Sequence, residues 1–518
     1  MNKCYLVLFT GIVLTSVGLS GCYSAKKPPA PYEKEFYSEL VDEQKVTIEV
    51  KEGEFLSLKR AQEIAVANNP NFTSVQHAMN AAWARYYQSL STYLPTISAD
   101  YALNQAHNNP GRSNNIALFD NGNIGHQINL RATWMAFNGL IRTFNVMAAK
   151  HQAMSEENLT DDTRRLLLRS IAFAYNAVLL AIENHRIADE NLKFQERLLK
   201  ESQIKYELEA VPLSDVLNFK IQMNNATSAK VTAKYTYEIA RFALGELMGL
   251  TDATLPESTK FPKIQVLRER NFGDVNSYID TALNNRPDLR QYRELMEVSK
   301  YNMYAAWGSF APRVDIEGEV GYQNNVLQSD NLGRQFSEVM SAAWGVNVNW
   351  VLFAGGSRIM DLRATQALLA QAQYTVVRRW LLVVQEVRSA FENVKQNATQ
   401  VDIFAETLKL VKQQRDLVDE EFRAGNTTIA RLNESQTTLV NAQSQLAIAL
   451  VNLQNAHAEL KAATNANPTG REFIMKQELF EYFSNENQMA QMAEELDNMR
   501  SNVKVSPAKD IKDTKEAK

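Results

Sequence analysis

Five landmarks recur along the chain at an offset of 216 or 217 residues, and this duplication limits the possible folds more than any other feature. They are Pro70 and Pro287, Pro95 and Pro312, WMAFNG (134–139) and WVLFAG (350–355), Tyr206 and Phe422, and Asn225-Ala226 and Asn441-Ala442. The period is far longer than the roughly 20–50 residues of solenoid repeats. The sequence therefore predicts one structural unit that occurs twice.

The two copies of this unit span residues 57–250 and 275–466, and a linker at 251–274 joins them. Glycine and proline are scarce in both, which favours long helices. The tail at 467–518 contains a predicted helix near 488–500 and then mixes charges without an apolar face. We therefore expect the tail to be partly disordered.

The hydrophobic periodicity of each copy predicts the same order of elements. This order is an opening helix, two strands, a long helix and a return helix. The strands alternate apolar and polar residues, and Asn- and Gly-rich loops are predicted between them at 105–125 and 323–340. The predicted bounds are 57–93 and 275–310 for the opening helices, 96–104, 126–134, 313–323 and 342–352 for the strands, 139–208 and 356–422 for the long helices, and 214–250 and 430–466 for the return helices.

The second long helix has apolar residues at alternating spacings of three and four, which is typical of a coiled-coil seam. Its predicted core includes Trp380 and Phe391. At 1.5 Å per residue, a helix of about seventy residues is about 100 Å long. A turn containing Pro212 or Gly425 separates each long helix from its return helix, so the sequence predicts two long helical hairpins.

The strands have one apolar face and one polar face. The apolar faces contain Trp134, Trp344 and Trp350, and tryptophan is typical of membrane interfaces. Lipid on one side and water on the other would satisfy both faces, although a half-buried sheet in a soluble protein has the same alternation. About eight strands are needed to close a barrel, so four strands would have to be combined with those of other subunits. The polar faces require water because they contain Asp100, Arg131, Asp315, Glu317 and Glu319.

Residues 1–21 are predicted to be a secretory signal, with an apolar run too short to span a membrane. Its end, Leu-Ser-Gly-Cys, resembles the lipobox of bacterial lipoproteins, in which the cysteine receives acyl chains such as palmitate. The resemblance implies a lipid on Cys22, and Tyr23 in place of aspartate favours the outer membrane. The alternative is an ordinary signal with a chance cysteine. Residues 22–56 would form a tether, and loss of Cys4 with the signal would exclude an intrachain disulfide.

No motif predicts catalysis, a cofactor or a metal site. The six histidines form no HExxH pair, and P-loop, GxSxG and GxGxxG motifs are missing from the sequence. The net charge of −4 implies no nucleic-acid partner. No stretch after the signal has eighteen consecutive apolar residues, so we expect no membrane-spanning helix.

With these landmarks, the sequence resembles the TolC family of outer-membrane efflux and export channels over about residues 57–466. The resemblance rests on the duplication, on NRPDLR (285–290), on the WMAFNG and WVLFAGG segments, and on FRAGNTTIARLNESQTTLVNAQSQL (422–446). It implies a homotrimer with a twelve-stranded β-barrel in outer-membrane lipid and a long helical tube in the periplasm. It also implies a passive duct whose partners are a periplasmic adaptor and an inner-membrane transporter.

In that family the hairpin tips narrow the tube, and the resemblance implies gate residues at Asp215, Phe422, Arg431 and Glu434. Arg431 stands where the family usually has an acid, and Phe422 where tyrosine is common. The sequence therefore departs from a cation-selective gate held by a tyrosine hydroxyl. Alternatively, Arg431 and Glu434 form an exposed ion pair on a solvated helix face.

Two further groups of residues are expected to have a role in a channel. The charged residues of the polar strand faces, named above, are expected to line water inside the barrel. The hairpin turns are candidate adaptor contacts, and their residues are Val211, Pro212, Leu213, Ala424, Gly425, Asn426 and Thr427.

The leading interpretation is a lipid-anchored outer-membrane duct for efflux of small toxic molecules. An outer-membrane duct for type I protein secretion has the same architecture, and the sequence does not separate the two. A lipid-anchored periplasmic scaffold or adaptor is the alternative from another class of protein. It would also have helical hairpins, but not a duplicated pair of two-faced strands.

Overall fold

The structure is a computed structural model that describes residues 50, 53, 55–108, 121–250, 252–264, 273–329 and 333–465. All of them belong to the unit that ends at Ala466. The predicted signal peptide, Cys22, most of the tether and the C-terminal tail lie outside the described residues.

The described residues contain eight α-helices and four strands in two matching series, and a short 3₁₀ helix, Ser91–Tyr93, precedes the first strand. The first series is α1 (Leu58–Asn68), α2 (Pro70–Leu90), β1 (Thr96–Asn108), β2 (Asn121–Asn138), α3 (Ile141–Glu207) and α4 (Leu213–Leu247). The second is α5 (Val275–Asn285), α6 (Pro287–Gly308), β3 (Arg313–Ser329), β4 (Gly333–Asn349), α7 (Ser357–Arg423) and α8 (Ile429–Thr464).

The opening helix of each repeat is broken, whereas the sequence predicts it to be continuous. The breaks fall at Asn69–Pro70 and Arg286–Pro287, where proline occupies the first position of the second helix. Proline fits there because its missing N–H would have no partner in that turn. The residue before it is in the extended region in both cases, which ends the preceding helix.

The strands are longer than the predicted ones, and the predicted loops are wrong over much of their length. Residues 104–108 pair with 121–125, and residues 323–329 pair with 333–339. Mutual pairing of the two strands therefore overrides the turn-forming composition of these segments. At the other end, β4 stops at Asn349 instead of the predicted 352.

The four strands form one antiparallel sheet in the order β1-β2-β3-β4. In the first hairpin Thr96 is opposite Thr133, and in the second Arg313 is opposite Asn349. These pairs are related by the sequence offsets of 217 and 216 residues, so both hairpins have the same register. The duplication is therefore present in backbone pairing as well as in sequence.

The connection from each second strand to its long helix also has the same geometry in both repeats. Trp134 donates its indole N–H to the carbonyl of Tyr93 at 2.9 Å, and Trp350 donates to the carbonyl of Phe310 at 3.1 Å. The residue before each long helix is left-handed, at φ 65° for Leu140 and φ 82° for Gly356. Leucine is rare in this region, so the first repeat accepts backbone strain that glycine avoids in the second.

The long helices α3 and α7 pack with shorter helices at both of their ends. The order of packing is the same on the side of the strands and on the side of the hairpin turns. On the strand side, α3 packs between α2 and α6, and α6 packs against α7. On the hairpin side, α3 packs between α4 and α8, and α8 packs against α7. Helices α3 and α7 therefore take part in the packing on both the strand side and the hairpin side. Helix α7 lies at one lateral edge of the chain.

Two core clusters lie near the middle of the long helices. The first surrounds Ile171, Tyr175 and Val178 of α3, and burial raises the pKa of Tyr175 to about 12. The second surrounds Val387 and Phe391 of α7. Phe391 is thus core packing as predicted.

Trp380 is not part of this core, because its side chain is 42% exposed in the described chain. The prediction of a core role for Trp380 was therefore wrong.

One helix of the described residues, α3, is long and apolar enough to cross a membrane by length and composition. The sequence predicted no such helix, because no stretch after the signal has eighteen consecutive apolar residues. Of its most apolar stretch, 39% is buried within the fold, and a core helix satisfies the same two criteria. Its packing against α1, α2, α4, α6 and α8 accounts for the apolar composition.

A buried ion cluster of the second repeat links the start of α6 to α7 and to the end of α8. The guanidinium of Arg286, which is fully buried, donates to Asp288 at 2.6 Å, to Glu386 at 2.6 Å and to the carbonyl of Ala463 at 3.3 Å. Arg379 also donates to Asp288, at 2.8 Å from its Nε. Burial alone would raise the pKa of Asp288, but Arg286 and Arg379 outweigh it and lower the pKa to about 2.

We expect Asp288→Asn to lower the free energy of unfolding by about 3–5 kcal/mol, because it removes the counter-charge of a buried guanidinium. The matched control is Glu386→Gln, since Glu386 pairs with the same Arg286 but is 40% exposed. Its loss should cost less than about 1 kcal/mol. Denaturant unfolding of the detergent-purified protein, followed by helical circular dichroism, measures both. Equal effects of the two substitutions would contradict the role of Asp288 as the main counter-charge of the buried Arg286.

Candidate functional site

Over residues 97–103, 128–134, 314–322 and 340–348, the sheet separates apolar from polar side chains. One face combines Leu130, Val320 and Ala342, which are directly opposite one another in β2, β3 and β4. The other face contains Arg131 opposite Glu319. Because directly opposite residues share a face, the alternation of each strand is in phase with that of its neighbours.

All five predicted strand charges lie on this polar face, whose charged residues are Asp100, Arg131, Arg313, Asp315, Glu317 and Glu319. Arg131 pairs with Glu319 at 3.1 Å, and Arg313 pairs with Asp315 at 2.7 Å. Within the described part of the chain, Asp100 and Glu317 make no ion pair. Two arginines against four carboxylates leave the face negatively charged.

The two hairpin turns have the same backbone geometry. In the first, Glu209 is left-handed at φ 57°, and the amide of Ala210 donates to the carbonyl of Lys205 at 2.8 Å. In the second, Gly425 is left-handed at φ 79°, and the amide of Asn426 donates to the carbonyl of Glu421 at 2.9 Å. Both are Schellman turns, which normally place glycine at the left-handed position.

The two hairpins of one chain pack together near these turns. Leu198, Phe219, Val418 and Leu432 form a buried apolar cluster there, with two residues from each hairpin. Phe422 of the second hairpin lies partly buried beside it, with its ring 6.2 Å from that of Phe219. We call this group, Leu198, Phe219, Val418, Phe422 and Leu432, the tip cluster.

The candidate gate residue Phe422 therefore makes an apolar contact with the neighbouring hairpin. The ammonium of Lys205 adds a cation–π contact at 5.2 Å from the ring centre.

Asp215 lies half-buried in the first turn of α4, where the positive end of the helix dipole favours a carboxylate.

The two candidate charges of the second hairpin do not pair with each other. Arg431 lies 4.0 Å from Glu421, across the turn on α7, so the alternative Arg431–Glu434 ion pair was wrong. The extended arginine, 62% exposed, reaches back over the turn instead of along its own helix. Glu434 is exposed and makes no ion pair within the part of the chain that the structure describes.

The candidate adaptor contacts all lie at the ends of the hairpins. Five of them are exposed, and these are Pro212, Leu213, Ala424, Gly425 and Asn426. The other two, Val211 and Thr427, are half-buried. The turns are therefore accessible in the isolated chain.

Sequence reasoning missed a buried acid that links the hairpins. Asp419 is 8% exposed and accepts from Arg197 of the first hairpin at 3.4 Å and from Arg423 at 3.1 Å. Nearby, the side-chain amide of Gln436 donates to Asn191 at 3.0 Å. No sequence motif marks Asp419, because its partner Arg197 is 222 residues away. Among the described residues, no group of three or more His, Cys, Asp or Glu side chains could hold a metal ion.

A family model described as outer membrane efflux protein matches residues 62–250 and 278–466. The chain is 21% identical to outer membrane protein TolC of Escherichia coli (strain K12) over 79% of this chain and 83% of that protein. It is 22% identical to outer membrane efflux protein BepC of Brucella suis over 74% and 78% of the two chains. It is also 22% identical to alkaline protease secretion protein AprF of Pseudomonas aeruginosa over 60% and 63%.

Solved structures have the same fold. The CmeC outer membrane channel of Campylobacter jejuni matches with a TM-score of 0.70 at 15% identity, over 89% of this chain and 93% of that chain. The outer membrane protein VceC of Vibrio cholerae matches with a TM-score of 0.65 at 16% identity, over 79% and 95%. The predicted fold class, a mainly helical chain of two repeated units with four strands, is confirmed.

We expect opposite effects from two substitutions at matching turn positions. Gly425→Ala should destabilise its turn by about 1 kcal/mol, and Glu209→Gly should stabilise the other turn, because only glycine adopts a left-handed conformation without strain. Hydrogen exchange of the Asn426 and Ala210 amides reports the local opening of each turn. A change of the same sign at both turns would contradict this account.

Proposed function

Since the chain belongs to the outer membrane efflux protein family, we propose that three copies form a passive channel through the outer membrane. The channel would continue into the periplasm as a tube of α-helices. The observation that supports this most is a two-faced sheet whose strands β1 and β4 each have one unpaired edge.

The sheet cannot enter lipid as a single chain. Lipid offers no hydrogen-bond partners, so an open strand edge is excluded from the hydrocarbon region. The strands have 13 to 18 residues, and about 9–11 are enough to cross a membrane. Four strands are too few to close a barrel, whereas three copies supply twelve.

The helical layer has two open sides as well. Helix α4 packs against α3 and leaves apolar side chains exposed on its free side, and these include Leu217, Ile221, Val231, Tyr235, Ile239 and Phe242. Helix α7, at the other edge, exposes Ile403, Leu410 and Leu417 at intervals of seven residues. One side belongs to the first repeat and the other to the second, so a head-to-tail ring covers both.

The polar face of the sheet would then line the water-filled interior. Its four carboxylates per chain against two arginines give this interior a negative field. Charged rings of this kind favour ions of opposite sign, so the barrel would favour cationic over anionic solutes.

The hairpin ends would face the periplasm and meet a periplasmic adaptor that connects to an inner-membrane transporter. The exposed turn residues Pro212, Leu213 and Gly425 are the proposed contacts. A duct has no energy source, so the transporter would have to drive flux. A lipid on Cys22 would anchor the mature N-terminus in the outer membrane.

The cargo is proposed to be small toxic molecules, as in efflux. Protein secretion is the second candidate, because the similar chain AprF is described as an alkaline protease secretion protein. A periplasmic scaffold has less support, since it gives no reason for a sheet with one mainly apolar face and two open edges.

We expect the Cys22→Ser variant to remain in the outer-membrane fraction, because the barrel itself would hold it there. The purified variant should give single-channel conductance in planar bilayers, as should the unaltered protein. A soluble, monomeric Cys22→Ser protein without conductance would contradict a channel and would favour a lipid-anchored scaffold.

Glu434 is the proposed constriction acid. Glu434→Gln should reduce the blockade of single-channel current by polyvalent cations, because it removes one unpaired carboxylate per subunit. The control is Glu420→Gln, an exposed acid of α7 close to the same turn. Equal loss of blockade in both variants, or no change in either, would place Glu434 outside the constriction.

A further inference from the structure

Each repeat has an arginine eight residues after the tryptophan near the end of its second strand. These arginines are Arg142, after Trp134, and Arg358, after Trp350. Both donate from Nη1 to the backbone carbonyl of the residue that follows the tryptophan, at 2.6 Å for Arg142 and 2.7 Å for Arg358. The duplication therefore preserves a guanidinium at the same point of both strand-to-helix junctions.

The arginines lie where the apolar face of the sheet ends. Trp134 is on this face, since it is opposite Ile316 in the strand pairing. At a membrane interface the indole N–H is a usual hydrogen-bond donor. Here both indole N–H groups are already used, by the carbonyl of Tyr93 for Trp134 and by that of Phe310 for Trp350. Hydrogen bonds to a lipid headgroup would therefore have to come from another donor.

The two guanidinium groups differ in how much of each is used inside the chain. Arg142 also donates to the carbonyl of Thr92 at 3.1 Å and stacks over the ring of Tyr93 at 4.3 Å, and its Nε is buried. The side chain of Arg358 makes one hydrogen bond among the described residues, to Val351. Its Nε and Nη2 have no partner there, and these two nitrogens form an edge that can bind a phosphate through two parallel hydrogen bonds.

An exposed aromatic group lies beside the second junction. Trp307 and Trp350 are both more than half exposed. The ring of Trp307 is 6.0 Å from that of Phe310, whose carbonyl accepts from Trp350. Trp307 and Phe310 lie at the end of α6, which packs between α3 and α7 of the same chain. Since both lateral neighbours of α6 are present, a further copy would not cover this group from the side.

We propose that Arg358 binds the phosphodiester group of a phospholipid in the periplasmic leaflet, whose acyl chains lie along the exposed aromatic group. This inference rests on the proposed function, because it requires the sheet to be in the outer membrane and the long helices in the periplasm. The nearby acid Asp361 makes no ion pair within the described residues, so it does not occupy the guanidinium. Phosphatidylethanolamine and phosphatidylglycerol both contain the phosphodiester, so the site does not select one headgroup.

Lipid titration of the detergent-purified, full-length trimer, followed by native mass spectrometry, tests the site. The probe is phosphatidylglycerol. We expect Arg358→Gln to bind it about tenfold more weakly at three sites per trimer, because a charge-assisted hydrogen-bonded contact is lost. Arg358→Lys keeps the charge without the two-pronged edge and should have an intermediate affinity. The matched control is Arg363→Gln, which removes an exposed arginine of the same helix and should bind as the unaltered protein does.

Two further probes distinguish a lipid from a free anion. Dioleoylglycerol has the acyl chains without the phosphate and should bind equally to the unaltered protein and to Arg358→Gln. Inorganic phosphate, at the same concentration as the lipid, has no acyl chains and should not displace phosphatidylglycerol. Displacement would indicate a site for free phosphate and would overturn the lipid assignment.

Equal affinity of Arg358→Gln and the unaltered trimer for phosphatidylglycerol would also overturn the proposal. The same loss in Arg363→Gln would overturn it too, since any arginine of this part of α7 would then suffice. Should Arg358→Gln not assemble, the comparison of Arg358→Lys with Arg363→Lys decides, and only the first should bind more weakly. Absence of trimers of the unaltered protein would instead contradict the proposed function.

Discussion

The structure depends on one constraint, which is that every backbone N–H and C=O inside a membrane needs a partner within protein. Strands β1 and β4 each leave one row of these groups unpaired. No rearrangement of a four-stranded sheet can pair its own two edges, since so few strands do not close. The long strands, the two-faced alternation and the exposed helices α4 and α7 all have an explanation once sister chains supply the missing partners.

The duplication preserves backbone geometry more closely than side-chain chemistry. Both hairpins have the same register, and both helix turns have the same Schellman geometry. The side chains at matching places differ, as with Leu140 and Gly356 or Glu209 and Gly425. In the proposed trimer, one repeat would face its partner within the chain and the other would face a neighbouring copy, so equivalent positions would have different surroundings.

The sequence predicted the strands and long helices because periodicity and the 216–217 offset are properties of the chain itself. It did not predict where strands end, since pairing decides this, as at Asn349. Trp380 has the spacing of a core residue, but burial depends on which helices surround it. The pairing of Arg431 with Glu421 and the burial of Asp419 depend on turn geometry and on contacts between distant segments.

The number of chains in the membrane-extracted particle tests the central claim most directly, because closure of the sheet requires a fixed number of copies. Native mass spectrometry of the full-length protein, released from detergent, counts them without assumptions about shape. The account predicts three copies and therefore twelve strands. A particle of one or two copies would contradict it.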